Sequence, residues 1–247
     1  MHPWKHFSTI TKHRNTVMRM CFGIGLYKQG LLHDLSKYSW TEFSRGCRYF
    51  QGNRSPNNYE REIYGYSVSW LHHKGRNKHH FEYWLDYNEH KKGEVKGMPM
   101  PRRYIAEMYC DRVAACKTYQ KGDYTELSPI RYFYKGSGKE LMHPETRRDI
   151  GFLLTMLGEK GERRTAKYIK NEYLKGREIP KDYKELESLE AFDAAQDGGR
   201  KKSRAAEDGG KKQNLAVEDG CRKKSIAVED GCRADGFGAD RRGESDA

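Results

Sequence analysis

The stretch GLLHDLSK, residues 30–37, decides how the rest of the chain is interpreted. It places an imidazole and a carboxylate side by side, at His33 and Asp34. Imidazole nitrogen and carboxylate oxygen are ligands that suit divalent transition metals. Because neighbouring residues on a helix point about 100° apart, we expect this pair to flank one ion whose shell other helices complete.

Residues that could complete the shell lie on both sides of this pair. His13 comes twenty residues before His33, in the segment TKHRNTV, and Asp111 lies in MYCDRVAA. The apolar residues around both segments recur at helical spacing, which predicts a helix for each. His13 and Asp111 are therefore the candidate ligands from other helices.

Nine of the ten histidines precede residue 100, and four of them lie in WLHHKGRNKHHFEYW, residues 70–84. These are the pairs His72-His73 and His79-His80. They offer ligands for a second ion, or a general acid with phosphate-binding groups. The alternative is a basic, aromatic-rich surface loop.

The order of these residues resembles the HD superfamily of metal-dependent phosphohydrolases. GLLHDLSK resembles the signature segment of that superfamily, including a lysine three residues after the aspartate, and YCDRVAA resembles its final aspartate motif. The resemblance covers roughly residues 5–120. With the histidine-rich stretch, it is similar to an uncharacterised bacterial branch of the superfamily.

The resemblance implies one divalent ion (Mn, Zn, Fe, Ni or Co) held by four ligands, with a second ion as an open alternative. The implied ligands are His13, His33, Asp34 and Asp111, and a second ion would draw on His72, His73, His79 and His80. One departure from the superfamily is that the two histidine pairs are only seven residues apart, whereas two-metal members usually spread these ligands over separate helices.

The function implied is hydrolysis of a phosphate ester in a nucleotide-like or small phosphorylated metabolite. The candidate catalytic residues are Asp34, Lys37, His79 and His80. Lys37, Arg54 and Arg76 are candidate phosphate contacts, since charged donors suit phosphate oxygens.

Two other functions stay open. A di-iron oxygenase of HD type would also use the additional histidines. A non-enzymatic nucleic-acid-binding module would use the net charge of +12, of which +11 belongs to residues 1–193.

The pattern of apolar residues predicts an all-α fold with little or no sheet. With the resemblance, this becomes an HD-domain-like helical bundle that carries additional C-terminal helices. We expect a helix over residues 9–22, another opened by Pro101, and a helix end at Gly176. Further helix starts are predicted where a capping residue precedes proline, at Ser55-Pro56, Ser128-Pro129 and His143-Pro144, and we expect the first of these helices to continue through Trp70.

Composition bears on the environment of the chain. Cysteines at 21, 47, 110, 116, 221 and 232 form no C-x-x-C pair, so we expect free thiols, with the first four buried. The sequence has no apolar run near the about 20 residues that cross a bilayer, and no secretory signal. These features predict a cytoplasmic protein without a membrane partner.

The end of the sequence is a repeat. Four units of 11 residues follow one another from Ala194, beginning with AAQDGGRKKSR and ending with AVEDGCRADGF. Each unit carries glycine at its centre, at a cost of about 1 kcal/mol per residue to a helix. We therefore divide the chain into a helical domain at 1–193 and a disordered tail at 194–247.

Deleting residues 194–247 should leave folding intact, because the tail contributes almost no apolar residues to a core. The thermal midpoint and far-ultraviolet circular dichroism per folded residue should match those of the full chain. A truncated protein that is unfolded would refute this division.

Overall fold

The computed structural model describes residues 2–183, which are predominantly helical, as the sequence predicts. The helices of this range are α1 (Pro3–Gly23), α2 (Tyr27–Leu32), α3 (Trp40–Tyr49), α4 (Pro56–Tyr64), α5 (Val68–Lys74), α6 (Arg102–Gln120), α7 (Ser128–Lys135), α8 (Pro144–Lys160) and α9 (Glu162–Asn171). Two short strands, β1 (Leu85–Tyr87) and β2 (Val95–Gly97), pair antiparallel with Leu85 opposite Gly97. The predicted tail lies outside the described residues.

Proline marks the helix starts where the sequence predicts them. Ser55 is the N-cap residue of α4, and Pro101 is that of α6. His143 caps α8, where its ring Nδ1 accepts the backbone N–H of Glu145. These starts confirm the prediction. At Ser128-Pro129 the helix begins one residue earlier than predicted, because Leu127 and not Ser128 is the N-cap residue of α7.

The helix that opens at Ser55-Pro56 is shorter than we expected. It was predicted to continue through Trp70, but it ends at Tyr64, where Gly65 adopts a left-handed φ of 78°. The Ser67 hydroxyl then accepts the backbone N–H of Trp70 and starts α5. The prediction was wrong because the helical spacing of apolar residues continues across a glycine that breaks the backbone.

The C-terminal stop also differs in detail. Helix α9 ends at Asn171, and Gly176, with a φ of 97°, closes the short 3-10 turn Tyr173–Lys175 that follows. Gly176 therefore ends a turn rather than a helix.

Helix α6 lies at the centre of the core. Its apolar face packs against α1, α7 and α8. The fully buried residues of this core include Val17, Ile105, Tyr109, Leu153 and Leu154. Burying each large side chain stabilises the fold by about 1.5–3 kcal/mol. This packing holds α6 in place, and its other face carries charged residues.

The four cysteines within the described range are buried free thiols, as the sequence predicts. The remaining two, Cys221 and Cys232, lie outside that range. Within residues 2–183, no helix combines the length and the apolar character needed to cross a bilayer.

Helix α1 packs on α3 through a close approach of His6 to Gly46. A Cβ atom at Gly46 would lie 2.1 Å from His6 Nε2. The ring of His6 is wedged between Phe43 and Phe50, with centroids 5.5 and 5.8 Å away. The approach therefore requires glycine at this helical position.

Gly46→Ala should lower the free energy of unfolding by about 1–3 kcal/mol, because His6 has no room to retreat. Gly23→Ala is the matched control: it is also helical, and its Cβ would meet nothing within 4 Å. That variant should leave stability unchanged or raise it by up to about 1 kcal/mol. Urea unfolding measures both, and equal effects of the two substitutions would contradict this packing.

Candidate metal centre

The His33-Asp34 pair lies at a sharp break in the backbone, not on a helix as we expected. Helix α2 ends at Leu32, and a 3-10 turn, Leu35–Tyr38, follows Asp34. Asp34 itself is left-handed, with a φ of 54°. Aspartate is among the few residues other than glycine that adopt this conformation, which costs roughly 1–2 kcal/mol. The break turns both side chains into the interior, where each residue is only 1% exposed.

Four of the predicted ligands meet at this break. His13 comes from α1 and Asp111 from α6, and their ligand atoms lie within 4.8 Å of those of His33 and Asp34. His13 Nε2 is 3.0 Å from Asp111 Oδ1 and 3.8 Å from Asp34 Oδ2. His33 Nε2 is 3.4 Å from Asp34 Oδ2 and 3.6 Å from Asp111 Oδ1. We call these four residues the first ligand set.

Two more histidines meet the other oxygen of Asp34, and a third lies beside them. His73 Nε2 lies 3.2 Å from Asp34 Oδ1, and His79 Nε2 lies 3.4 Å from it. His80 Nε2 is 2.9 Å from His73 Nε2. Together with Asp34 these residues form a second group whose ligand atoms lie within 4.8 Å of one another. We call it the second ligand set.

Of the four paired histidines, His72 is the one that the structure leaves outside this set. Its Nδ1 lies 2.6 Å from Glu42 Oε1, and its side chain is 18% exposed. His72 and His73 are neighbours on a helix, so their rings point in different directions. The sequence could not tell which of the two faces inward, because both are polar.

Two glutamates that the sequence did not indicate as site residues contact the Nδ1 atoms of these rings, on the side away from Asp34. Glu107 Oε1 accepts hydrogen bonds from His33 Nδ1 at 3.0 Å and from His79 Nδ1 at 3.1 Å. Glu42 Oε2 accepts one from His73 Nδ1 at 2.8 Å. Because a carboxylate only accepts, each Nδ1 carries a hydrogen, so each Nε2 is the nitrogen left to bind an ion beside Asp34.

The position of one of these glutamates could have been predicted from the sequence. Glu107 precedes Asp111 by four residues, so the two share a face of α6. The position of Glu42 could not, since only the packing of α3 against α5 brings it to His73. Burial works to raise the pKa of Glu107, but the hydrogen bonds from His33 and His79 outweigh it, and the pKa lies below its ordinary value.

The donor atoms fit a metal ion. Within the described range, His33 Nε2, His79 Nε2 and Asp34 Oδ1 are buried without a hydrogen-bond partner, a state that costs about 1–3 kcal/mol for each polar atom. Four ligands arranged as a tetrahedron about 2.1 Å from an ion lie about 3.4 Å apart. The separations within both sets are close to this value. A metal ion between the imidazole nitrogens and the carboxylate oxygens would displace the protons from those nitrogens and be coordinated by both kinds of group.

The lysine of GLLHDLSK lies at the accessible side of the centre. Lys37 Nζ is 2.6 Å from Asp34 Oδ2, and its side chain is 28% exposed. Burial works to raise the pKa of Asp34, but His33 and Lys37 outweigh it and hold the pKa well below its usual range. Burial lowers the pKa of Lys37, but Asp34 and Asp111 more than compensate and raise it. Asp34 is therefore an anion and Lys37 a cation.

The structure does not bring Arg54 or Arg76 to either ligand set. The Arg54 guanidinium donates to Gln51 and to both carboxylate oxygens of Glu62 at the surface. Arg76 donates to the backbone carbonyl of His72 at 3.2 Å. Their assignment as phosphate contacts has no support from these geometries.

The fold and the site define a predominantly helical protein with a buried centre of imidazole and carboxylate groups. The chain belongs to the family of unknown function DUF5662, whose model matches residues 2–156. The match includes both ligand sets and both glutamates. Searches of curated proteins and of solved structures give no match.

His73→Ala should lower the amount of metal that the protein retains after loading with Mn²⁺ and desalting, because His73 faces Asp34. His72→Ala, its neighbour, should retain the wild-type amount, since that ring points away. Elemental analysis measures both. A loss of metal in His72→Ala equal to that in His73→Ala would contradict the orientations described.

Proposed function

We propose that this chain binds two divalent transition-metal ions, one on each side of Asp34, and hydrolyses a phosphate ester of a small metabolite or nucleotide. One observation carries the two-ion part. Oδ2 of Asp34 faces His13 and His33, whereas Oδ1 faces His73 and His79. A carboxylate whose two oxygens each meet a separate ligand set is placed to bridge two ions.

The composition of the sets supports transition metals. Imidazole with carboxylate suits Mn, Zn, Fe, Ni and Co, whereas sites for Mg or Ca are built from oxygen alone. Bound ions of this kind polarise a phosphoryl oxygen and activate water for attack on phosphorus. The resemblance to the HD superfamily supports the same reaction.

The chain's own groups would bind and orient the substrate. Lys37 is the cation at the accessible side, where it can receive phosphate oxygens as a point charge. The Asp111 side chain, 16% exposed, borders the same side. Because His13, His33, Asp34, His73 and His79 are buried, a phosphate group would approach along this edge, which favours a small ester.

The roles of His79 and His80 change under this proposal. From the sequence, both are candidate catalytic residues. Their Nε2 atoms lie with the second ligand set, so we assign them as ligands of the second ion rather than as a general acid.

A di-iron oxygenase is the second candidate. The second ligand set joins three imidazoles to one carboxylate, and nitrogen-rich sets also suit iron. Two equivalents of iron with visible absorbance, and oxygen uptake that depends on substrate, would favour it. Nucleic-acid binding stays a prediction that rests on the net charge of +12, and Trp4 and Trp40, each 83% exposed, offer surfaces on which bases could stack.

Asp34→Asn tests the proposed reaction. Asparagine tolerates the left-handed backbone but lacks the charge of the bridging group, so the fold should persist while activity is lost. With Mn²⁺ present, hydrolysis of p-nitrophenyl phosphate and of a nucleotide panel should fall by about 100-fold or more. Circular dichroism should remain helical, and His90→Ala, which removes an exposed imidazole, should keep the wild-type rate.

Full activity in Asp34→Asn would refute the proposal. If wild-type protein that holds two equivalents of metal hydrolyses none of these esters but consumes oxygen, the oxygenase replaces the hydrolase.

A further inference from the structure

We infer that Glu107 is a positioning residue common to both metal ions, and that Glu42 positions a ligand of the second ion alone. This inference rests on the proposed two-ion centre. It assigns different roles to two buried glutamates, and the ligand sets alone do not show this difference.

Glu107 lies behind one ligand of each set. Its Oε1 atom is 3.0 Å from His33 Nδ1, which belongs to the first set, and 3.1 Å from His79 Nδ1, which belongs to the second. The two rings lie side by side, with centroids 4.4 Å apart. A single carboxylate oxygen therefore fixes the orientation of a ring on each side of Asp34.

The hydrogen bonds to Glu107 act on metal affinity in two ways. They fix each ring with its Nε2 toward Asp34, and the negative charge of Glu107 makes that nitrogen a more basic metal ligand. Glu107 is itself 5% exposed and comes from α6, one turn before Asp111. Loss of its charge should therefore weaken both ions together.

Among the described residues, Glu42 contacts a ring of the second ligand set and none that is exclusive to the first. Its Oε2 atom is 2.8 Å from His73 Nδ1, a ring of the second set. Its Oε1 atom is 2.6 Å from His72 Nδ1, and that ring belongs to neither set. No ligand that is exclusive to the first set hydrogen-bonds to Glu42 within the described residues. Loss of its charge should weaken the second ion alone.

Titration with Co²⁺, followed by visible absorption and by calorimetry, measures the two dissociation constants on the full chain. His13→Ala and His73→Ala identify which step belongs to which set. Glu107→Gln should raise both constants by about 10-fold or more, whereas Glu42→Gln should raise only the second. Glu94→Gln, an exposed carboxylate of the hairpin, should change neither.

Glu107→Asp keeps the charge but draws it back by one methylene, so it should weaken both steps to a smaller extent. It decides the question if Glu107→Gln fails to fold. If the wild-type protein shows two Co²⁺-binding steps and the Glu107 variants alter only one of them, or neither, the inference is overturned. The two-ion centre would remain intact in that case. A wild-type protein that binds no Co²⁺ would overturn both.

Discussion

The buried carboxylate of Asp34 is the group on which the rest of the structure depends. Taking a carboxylate out of water costs several kcal/mol unless partners surround it. Here Lys37 and imidazoles from three parts of the chain face its two oxygens. The left-handed backbone at Asp34, the packing of α1 on α6 and the start of α5 at Ser67 all bring those partners to one point. The fold and the centre are therefore parts of one arrangement.

Helix α6 connects the stability of the fold to the chemistry. One face carries Tyr109 and Val113 into the apolar core, and the other presents Glu107 and Asp111 to the centre. Because the core fixes α6, a ligand and a positioning residue are held without freedom to drift. Such support from rigid elements is what a metal site requires if its ligands are to keep their geometry.

The sequence predicted much of this centre, but not the parts that depend on tertiary packing. The order of His13, His33, Asp34 and Asp111 marked the first ligand set, because imidazole beside carboxylate is a local signal. Helix starts at proline were equally local. The left-handed backbone at Asp34, and the orientation of His73 rather than His72 toward the centre, could be seen only in the folded backbone. The role of Glu42 could be seen only from the contact between α3 and α5. The substrate class and the link to the HD superfamily remain predictions.

The most direct test of the central claim is anomalous diffraction from crystals of the protein grown with Mn²⁺. We expect two anomalous peaks, one beside each carboxylate oxygen of Asp34, separated by about 3.5–4 Å. A single peak at the first ligand set would reduce the centre to one ion. No peak at Asp34, from protein whose ligands are ordered, would contradict the claim that this chain is a metal-binding protein.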